Sequence, residues 1–378
     1  MTPLNPQAAS AAAAGDMAEG GAAVDEVCFV VPGDIDDVSA PSGGNVYDRR
    51  LCQGLAAAGR PVRELAVPGT WPRPGASART GLGRALAGLP DGAVVLLDGL
   101  VACGVPEIVV PHAGRLRLAV LVHLPLADET GLAPETAADL DARERATLHA
   151  AGAVVATSPW ARRRLIDHHG LPSGRVHAVT PGTDPAPLAS GTDGASRLLC
   201  VASVTPRKGH DLLAEALAAV AHLPWTCECA GPLDRDPAHV TRVRRLLGRH
   251  RIGDRVHLDG PKTGGRLAAS YAAADLLVLP SRAETYGMVV TEALARGVPV
   301  LATAVDGVPD TLGRDAGLLV PPGDPAALAA ALRRWLVEPD LRSRLRAAAR
   351  RRRGALGGWD ATARGVAAVL DGLRREAR

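Results

Sequence analysis

Ser281–Thr303 reads SRAETYGMVVTEALARGVPVLAT and follows directly on the apolar run of DLLVLP. The pattern predicts a strand at Leu276–Leu279, a polar turn, a helix at Val289–Ala295 and a second strand at Val300–Ala302. Strand, helix and strand at that spacing form a βαβ unit, which requires a parallel sheet covered by helices. Glu284 precedes the helix and Glu292 lies about two turns along it. One carboxylate is thus at the helix mouth and the other within its body. Between them Tyr286, Gly287 and Met288 offer backbone N–H groups at the helix N-terminus, where a phosphate or a sugar hydroxyl can be received. Both oxygens of a carboxylate accept, so a vicinal diol suits it, and a sugar and a ribose are both candidates.

Outward from this stretch the same alternation recurs. Further strands are expected at Leu198–Ala202, Thr226–Ala230 and Arg255–Leu258, with helices at Gly209–Val220, Ala238–Leu247 and Gly265–Ala273. The first half repeats it with strands at Glu26–Val31, Val62–Ala66, Ala93–Leu97, Leu116–His123, Ala153–Thr157 and Val176–Val179, and clear helices at Val46–Ala58 and Pro134–Ala150. Pro181–Ser196, PGTDPAPLASGTDGAS, reads as a domain linker with little that can pack. The expectation is an α/β chain of two doubly wound, Rossmann-like halves facing an interdomain cleft, with ligands beyond the carboxyl ends of the strands. The boundaries are a disordered leader at 1–23, a first domain at 24–185, a second at 186–357 and a C-terminal helix at 358–378 packing back on the first domain.

Composition excludes several classes. Aromatic residues are 2% of the 378, too few for a stacking platform for single-stranded nucleic acid. A formal charge of +3 is too balanced for a binder that neutralises phosphates along a nucleic acid. No apolar run approaches the roughly 20 residues of a membrane helix. The six dispersed cysteines, without a CxxC pair, read as reduced thiols in a cytoplasmic protein. Arg350–Arg353 reads as a solvated helix face, and the His168-His169 pair as structural.

Two glycine- and cation-bearing turns bear on anions. Gly43 and Gly44 stand immediately before the first helix, where backbone N–H groups can approach a diphosphate. The turn is not GxGxxG, and no GxxxxGKS/T loop occurs, which removes the main support for hydride transfer and for ATP hydrolysis. In the second half Ser203, Arg207 and Lys208 occupy the turn between a strand end and the next helix, and Lys208 is one of only two lysines. Two cations at a helix start oppose the helix dipole and call for an anion, most simply a diphosphate.

With these turns the chain resembles glycosyltransferase family 4, the retaining GT-B enzymes that use nucleotide sugars. Glu284-x7-Glu292 is similar to the family's EX7E signature, PRKG at Pro206–Gly209 to its donor-diphosphate loop, PSGG to its N-terminal glycine loop and PGTD at Pro181–Asp184 to its end-of-domain motif. The resemblance implies that Arg207 and Lys208 bind the donor diphosphate and that Glu292 holds the ribose hydroxyls. It also implies that Glu284 approaches the transferred sugar, with Gly287 and Met288 as backbone donors. Many family members carry a histidine near the reacting sugar at the end of a middle strand. Here Asp98 and His123, both at strand ends, are the two candidates.

The implied reaction is transfer of a hexose-type sugar from a nucleotide diphosphate sugar, UDP preferred over GDP, to a hydroxyl of a soluble polar acceptor. Front-face attack is the implied route, with no cofactor and no metal; Asp34, Asp36 and Asp37 near the glycine loop do not form a suitable metal motif. The competing readings are a GT-B sugar phosphorylase, a nucleotide-sugar epimerase and a non-catalytic nucleotide-sugar-binding subunit.

Overall fold

The computed structural model describes residues 26–39, 41–129 and 131–375; the expected leader at 1–23 lies outside the described residues. Among the described residues, twelve strands make two parallel sheets. The first contains β1 (Val27–Pro32), β2 (Val62–Val67), β3 (Val94–Asp98), β4 (Arg117–Val122), β5 (Ala153–Ala156) and β6 (Val176–Ala178), in the order β2-β1-β3-β4-β5-β6. The second contains β7 (Arg197–Val201), β8 (Thr226–Ala230), β9 (Val256–Gly260), β10 (Leu276–Leu279), β11 (Val300–Thr303) and β12 (Gly317–Val320), in the order β12-β11-β10-β7-β8-β9. The expected two-domain α/β fold is the observed one. The strand β12 is additional to the five expected in the second half. It is short and largely unburied at the sheet edge, so its sequence lacks the continuous apolar run of a central strand.

Helices cover both faces. In β1, Val27, Phe29 and Val31 pack into one core layer while Cys28 and Val30 pack into the other, as the period of two along a strand dictates. The Phe29 layer is closed by the helix Gly43–Ala57 and by the C-terminal helix Trp359–Arg375, whose Val366 and Leu370 are fully buried. That helix leaves the second domain and crosses to the first. All six cysteines are free and buried.

The linker differs from its expectation of having little to pack. It is irregular, yet Thr183 and Ala186 are buried, and a Cβ on Gly182 would lie 2.3 Å from the backbone nitrogen of Trp359. Glycine is required there because the C-terminal helix begins against it. Among the described residues, no helix is long and apolar enough to cross a membrane.

In each sheet the chain reverses direction beside the first strand of the domain, at β1/β3 and at β7/β10. The crevice beyond the carboxyl ends of strands at such a point is where doubly wound sheets take ligands. The loops after β1, β3 and β4 face those after β7 and β10, and the halves touch there. Thr285 Oγ1 donates to the His123 carbonyl at 2.7 Å, and Arg207 Nε lies 2.9 Å from Glu129 Oε1.

Candidate active site

The second domain supplies a cationic turn and two acidic positions. Pro206–Lys208 forms one turn of 3-10 helix, ended by Gly209 at φ 69°, and the helix His210–Ala219 follows. A Cβ on Gly209 would fall 2.1 Å from the Pro280 carbonyl oxygen, so the turn is pressed against the end of β10. Arg282 holds it in place: its guanidinium spans both oxygens of Asp211 at 2.9 Å, and its backbone N–H donates to the Arg207 carbonyl at 2.7 Å. Asp211, in the first helical turn, has its carboxyl pushed up by burial, but Arg282 outweighs this and holds it below the usual range.

The two cations that the sequence brings together are met by protein carboxylates. Lys208 Nζ pairs with Glu284 Oε2, both largely buried, and Arg207 pairs with the half-exposed Glu129 of the first domain. Burial pushes the Glu284 carboxyl up, but Lys208 and Arg207 outweigh it and keep the group below its ordinary value, hence ionised. Solvent reaches the Glu129 side of the pair, which keeps its net contribution small. The other lysine, Lys262, is bound at 2.8 Å to Glu228 and to Asp259, away from this turn.

Glu284 is held through its backbone as well. Its N–H donates to Asp306 Oδ2 at 2.7 Å, and its carbonyl accepts from the Gly307 N–H at 3.1 Å. Asp306 adopts φ 49°, a left-handed conformation that Asp tolerates better than most residues and that is common at functional sites. A Cβ on Gly307 would fall 2.0 Å from the Thr285 carbonyl oxygen. Gly307→Ala is therefore expected to push the Glu284–Gly287 loop outward and to reduce turnover at least about tenfold, as a misplacement near 1 Å does in a positioned site. An unchanged rate in a folded variant would show that the loop's position is not critical.

Gly287 ends the loop at φ 83° and caps the helix Met288–Ala295. The N–H groups of Tyr286 and Gly287 make no backbone hydrogen bond among the described residues, and that of Met288 opens the helix. The Tyr286 side chain turns away, its hydroxyl 3.5 Å from the Pro181 carbonyl of the linker, so only its backbone is available to a ligand. Glu292 is half-buried one turn along the same helix, where the Tyr271 hydroxyl donates to its Oε2 at 2.7 Å. Burial raises its carboxyl above the ordinary value despite that hydrogen bond and nearby Arg296. Ser203 follows β7, partly exposed, and no side-chain hydrogen bond engages it among the described residues.

In the first domain Ser42 caps the helix Gly43–Ala57 by accepting from Asn45 N at 3.0 Å. A Cβ on Gly43 would lie 3.5 Å from Met288 Sδ, and one on Gly44 would lie 3.1 Å from His123 Cδ2. The glycine pair thus faces the donor-side helix and the histidine together. His123 directly follows β4, and its Nε2 is 2.8 Å from Asp48 Oδ1 and 3.7 Å from Asp98 Oδ2. Asp98 lies behind it: its carboxylate is 3% exposed against 19% for His123, and its Oδ1 accepts from Leu100 N at the start of the helix Gly99–Ala102. His123 therefore faces the cleft, and Asp98 backs it.

Asp48, Asp98 and His123 bring ligand-type atoms within 4.8 Å of one another, as do Asp141, His168 and His169. Direct hydrogen bonds, His123 to Asp48 and His168 to Asp141, occupy the space between those atoms, so neither group is assigned as a metal centre. His169 is sealed against Glu144, whose other oxygen accepts from Leu126 N, which is the structural role expected of the pair.

Residues 190–352 match the family model described as glycosyl transferases group 1. That match lies within the second domain and covers less than half of the chain. The matched segment carries Ser203, Arg207, Lys208, Glu284, Gly287, Met288 and Glu292. The chain is 35% identical over 273 residues to a D-inositol 3-phosphate glycosyltransferase of Kineococcus radiotolerans, covering 65% of this chain and 62% of that protein. It is 33% identical over 268 residues to a D-inositol 3-phosphate glycosyltransferase of Catenulispora acidiphila, with the same coverage of 65% and 62%. The chain thus spans less than two thirds of the length of these relatives. Among solved structures it resembles a sucrose-phosphate synthase from Thermosynechococcus elongatus, at TM-score 0.74 and 24% identity over 93% of this chain and 99% of that one. It resembles Anabaena HepE, crystallised with UDP-glucose, at TM-score 0.72 and 16% identity over 92% and 99%. The shared feature is the GT-B fold, whose second half contains the matched segment.

Four residues of the site escape the sequence reading: Asp48, Glu129, Arg282 and Asp306. Asp48 had a signal, because it stands among Tyr47, Leu51, Cys52 and Leu55 on the buried stripe of an amphipathic helix. Arg282 had a weaker one, directly after the strand-end Ser281. Glu129 and Asp306 reach the site only through tertiary structure.

Proposed function

We propose that the protein is a retaining glycosyltransferase that moves a hexose-type sugar from a nucleotide diphosphate sugar to a hydroxyl of a polar acceptor. The observation that carries this reading is the Arg207-Lys208 turn set beside an ionised Glu284 at the mouth of a cleft, with the half-buried Glu292 on the helix that follows. The diphosphate is taken by Arg207, Lys208 and the free N–H groups of Tyr286, Gly287 and Met288, all of which become more valuable as negative charge grows on the leaving group. Glu292 accepts from the ribose diol, and Glu284 accepts from hydroxyls of the sugar.

Attack comes from the face the diphosphate leaves. The acceptor hydroxyl forms the new glycosidic bond as the anomeric carbon–phosphate oxygen bond breaks, and its proton passes to the departing phosphate oxygen. The protein's part is positioning and charge stabilisation. Two side-chain cations and a helix N-terminus supply positive charge at the diphosphate, which supports transfer without a metal; a chelator is then expected to leave the rate unchanged.

UDP is the preferred nucleotide, a choice supported by the likeness to HepE, which binds UDP-glucose. The likeness to D-inositol 3-phosphate glycosyltransferases supports a small, hydroxyl-rich acceptor. Six free, buried thiols support a reducing, cytoplasmic setting. The test is incubation with UDP-hexoses and phosphorylated or free polyols, reading nucleotide release and the anomeric configuration of the product. Release that depends on acceptor, with the donor's configuration kept, is expected. An inverted product overturns retention, and release indifferent to every acceptor overturns transfer.

A further inference from the structure

Two fully buried carboxyls, Asp48 and Asp98, lie against His123 at the floor of the cleft. Asp48 Oδ1 is taken by His123 Nε2, but Asp48 Oδ2 is sealed from solvent and has no partner as long as every nearby acid is ionised. Asp98 is the group beside it. Its Oδ1 accepts from Leu100 N, and its Oδ2 is 3.7 Å from His123 Nε2, too long for a hydrogen bond. A proton on Asp98 resolves both problems together: it gives Asp48 Oδ2 a donor and removes one of two adjacent buried negative charges.

The imidazole is fixed on three sides. Nε2 points to Asp48, Cδ2 faces Gly44, and the Tyr47 ring stands edge-on at a centroid distance of 5.3 Å. Nδ1 makes no hydrogen bond among the described residues and, unlike Nδ1 of His169, is not sealed from solvent. The remaining edge of the ring is therefore the one presented to the cleft.

We infer that Asp98, Asp48 and His123 form a proton-ordered chain: neutral Asp98 donates to ionised Asp48, Asp48 accepts the Nε2–H of a neutral His123, and His123 offers an unprotonated Nδ1 to a ligand hydroxyl. Asp48 and Asp98 are positioning residues that act through His123. The hydroxyl is one borne by the transferred sugar or by the acceptor, so the inference deepens the proposed reaction and rests on it. The titration behaviour agrees in direction. Burial pushes Asp48 up to about 7 against hydrogen bonding from Asp98, and burial and then Asp48 raise Asp98 well above its ordinary value. Burial lowers His123 although Asp98 opposes it, and the other charged group facing the cluster is Arg49, which favours ionised Asp48.

Nitrogen-15 NMR of histidine-labelled protein tests the chain without a variant, the His123 resonances being assigned by difference from His123→Gln. The expected spectrum at neutral pH has a pyrrole-type Nε2 and a pyridine-type Nδ1, and Asp48→Ala, which removes the acceptor, disturbs that assignment while the other histidines keep theirs. A protonated Nδ1, an imidazolium, or a tautomer unaltered by Asp48→Ala in a folded variant overturns the inference. So does a shift of the His123 resonances on adding zinc or a chelator, which would make the cluster a metal site. Kinetically, Asp48→Ala is expected to lower kcat at least tenfold and to leave UDP binding to the second domain unchanged. Loss of UDP binding in the wild type would overturn the proposed reaction and leave the tautomer result standing, so the two failures are distinguishable.

Discussion

Replacing Lys208 by alanine is expected to lower turnover by about 10²–10³-fold, equivalent to about 3–4 kcal/mol of transition-state stabilisation at a preorganised charged contact. Its ammonium is held beside Glu284 in a largely buried pair and next to Arg207, so no other side chain of the turn can reproduce its position. The variant should also lose stability, because it leaves the Glu284 carboxylate with less of the opposing charge that offsets its burial; a cost on the order of 1–3 kcal/mol is expected. The pH dependence of that cost has a defined sign. The folded Glu284 has a depressed pKa, so its contribution is present above the ordinary carboxylate value and is lost as pH falls through the folded value. The gap in thermal stability between the wild type and Lys208→Ala should therefore be widest near neutrality and shrink in acid. Equal gaps at all pH values would mean that the loss is one of packing only.

Glu292→Gln should separate stability from function. The folded carboxyl is raised by burial, so its favourable contribution is present below the ordinary carboxylate value and fades as pH rises through the folded value. A neutral amide of the same shape avoids that cost and still accepts from the Tyr271 hydroxyl. The variant is thus expected to be as stable as the wild type or more stable at neutral pH, with the difference vanishing in acid. The same change weakens two charge-assisted hydrogen bonds to the ribose diol, each worth about 1.5–3 kcal/mol. A rise in the KM for the nucleotide sugar by about 10²-fold, with a much smaller change in kcat, is the expected kinetic result. A fall in kcat at unchanged KM would place Glu292 at the reacting sugar and not at the ribose.

Much of the architecture could be read from the chain because parallel strands buried on both faces are continuous apolar runs. The strands at Thr226–Ala230 and Leu276–Leu279 and the helix Pro134–Ala150 have the expected bounds, and other boundaries move by one or a few residues. The edge strand Gly317–Val320 was not legible, since only one of its four residues is buried. The linker was misread for a related reason. Small residues such as Gly182, Thr183 and Ala186 look unable to pack, yet they lie under the C-terminal helix because they are small.

The site divides in the same way. Arg207, Lys208, Glu284 and Glu292 are close in sequence to the strand ends and helix starts that carry them, so spacing alone locates them. The histidine and its two acids come from three separate places, just after β4, at the end of β3 and within the first helix, and no local pattern joins them. Spacing also could not tell that Glu284 and Glu129 would answer the two cations. The charge conflict at the helix start was legible, and its resolution by the protein's own carboxylates was not.

The measurement that bears most directly on the central claim is a calorimetric titration of the purified protein with UDP, GDP and ADP, repeated on Lys208→Ala. Binding of UDP in preference to the other two, abolished or weakened at least about tenfold in the variant by loss of a charge-assisted contact, is the predicted result. Absence of binding by any nucleoside diphosphate, or UDP binding that is indifferent to Lys208, would contradict the assignment of this cleft to a nucleotide-sugar donor.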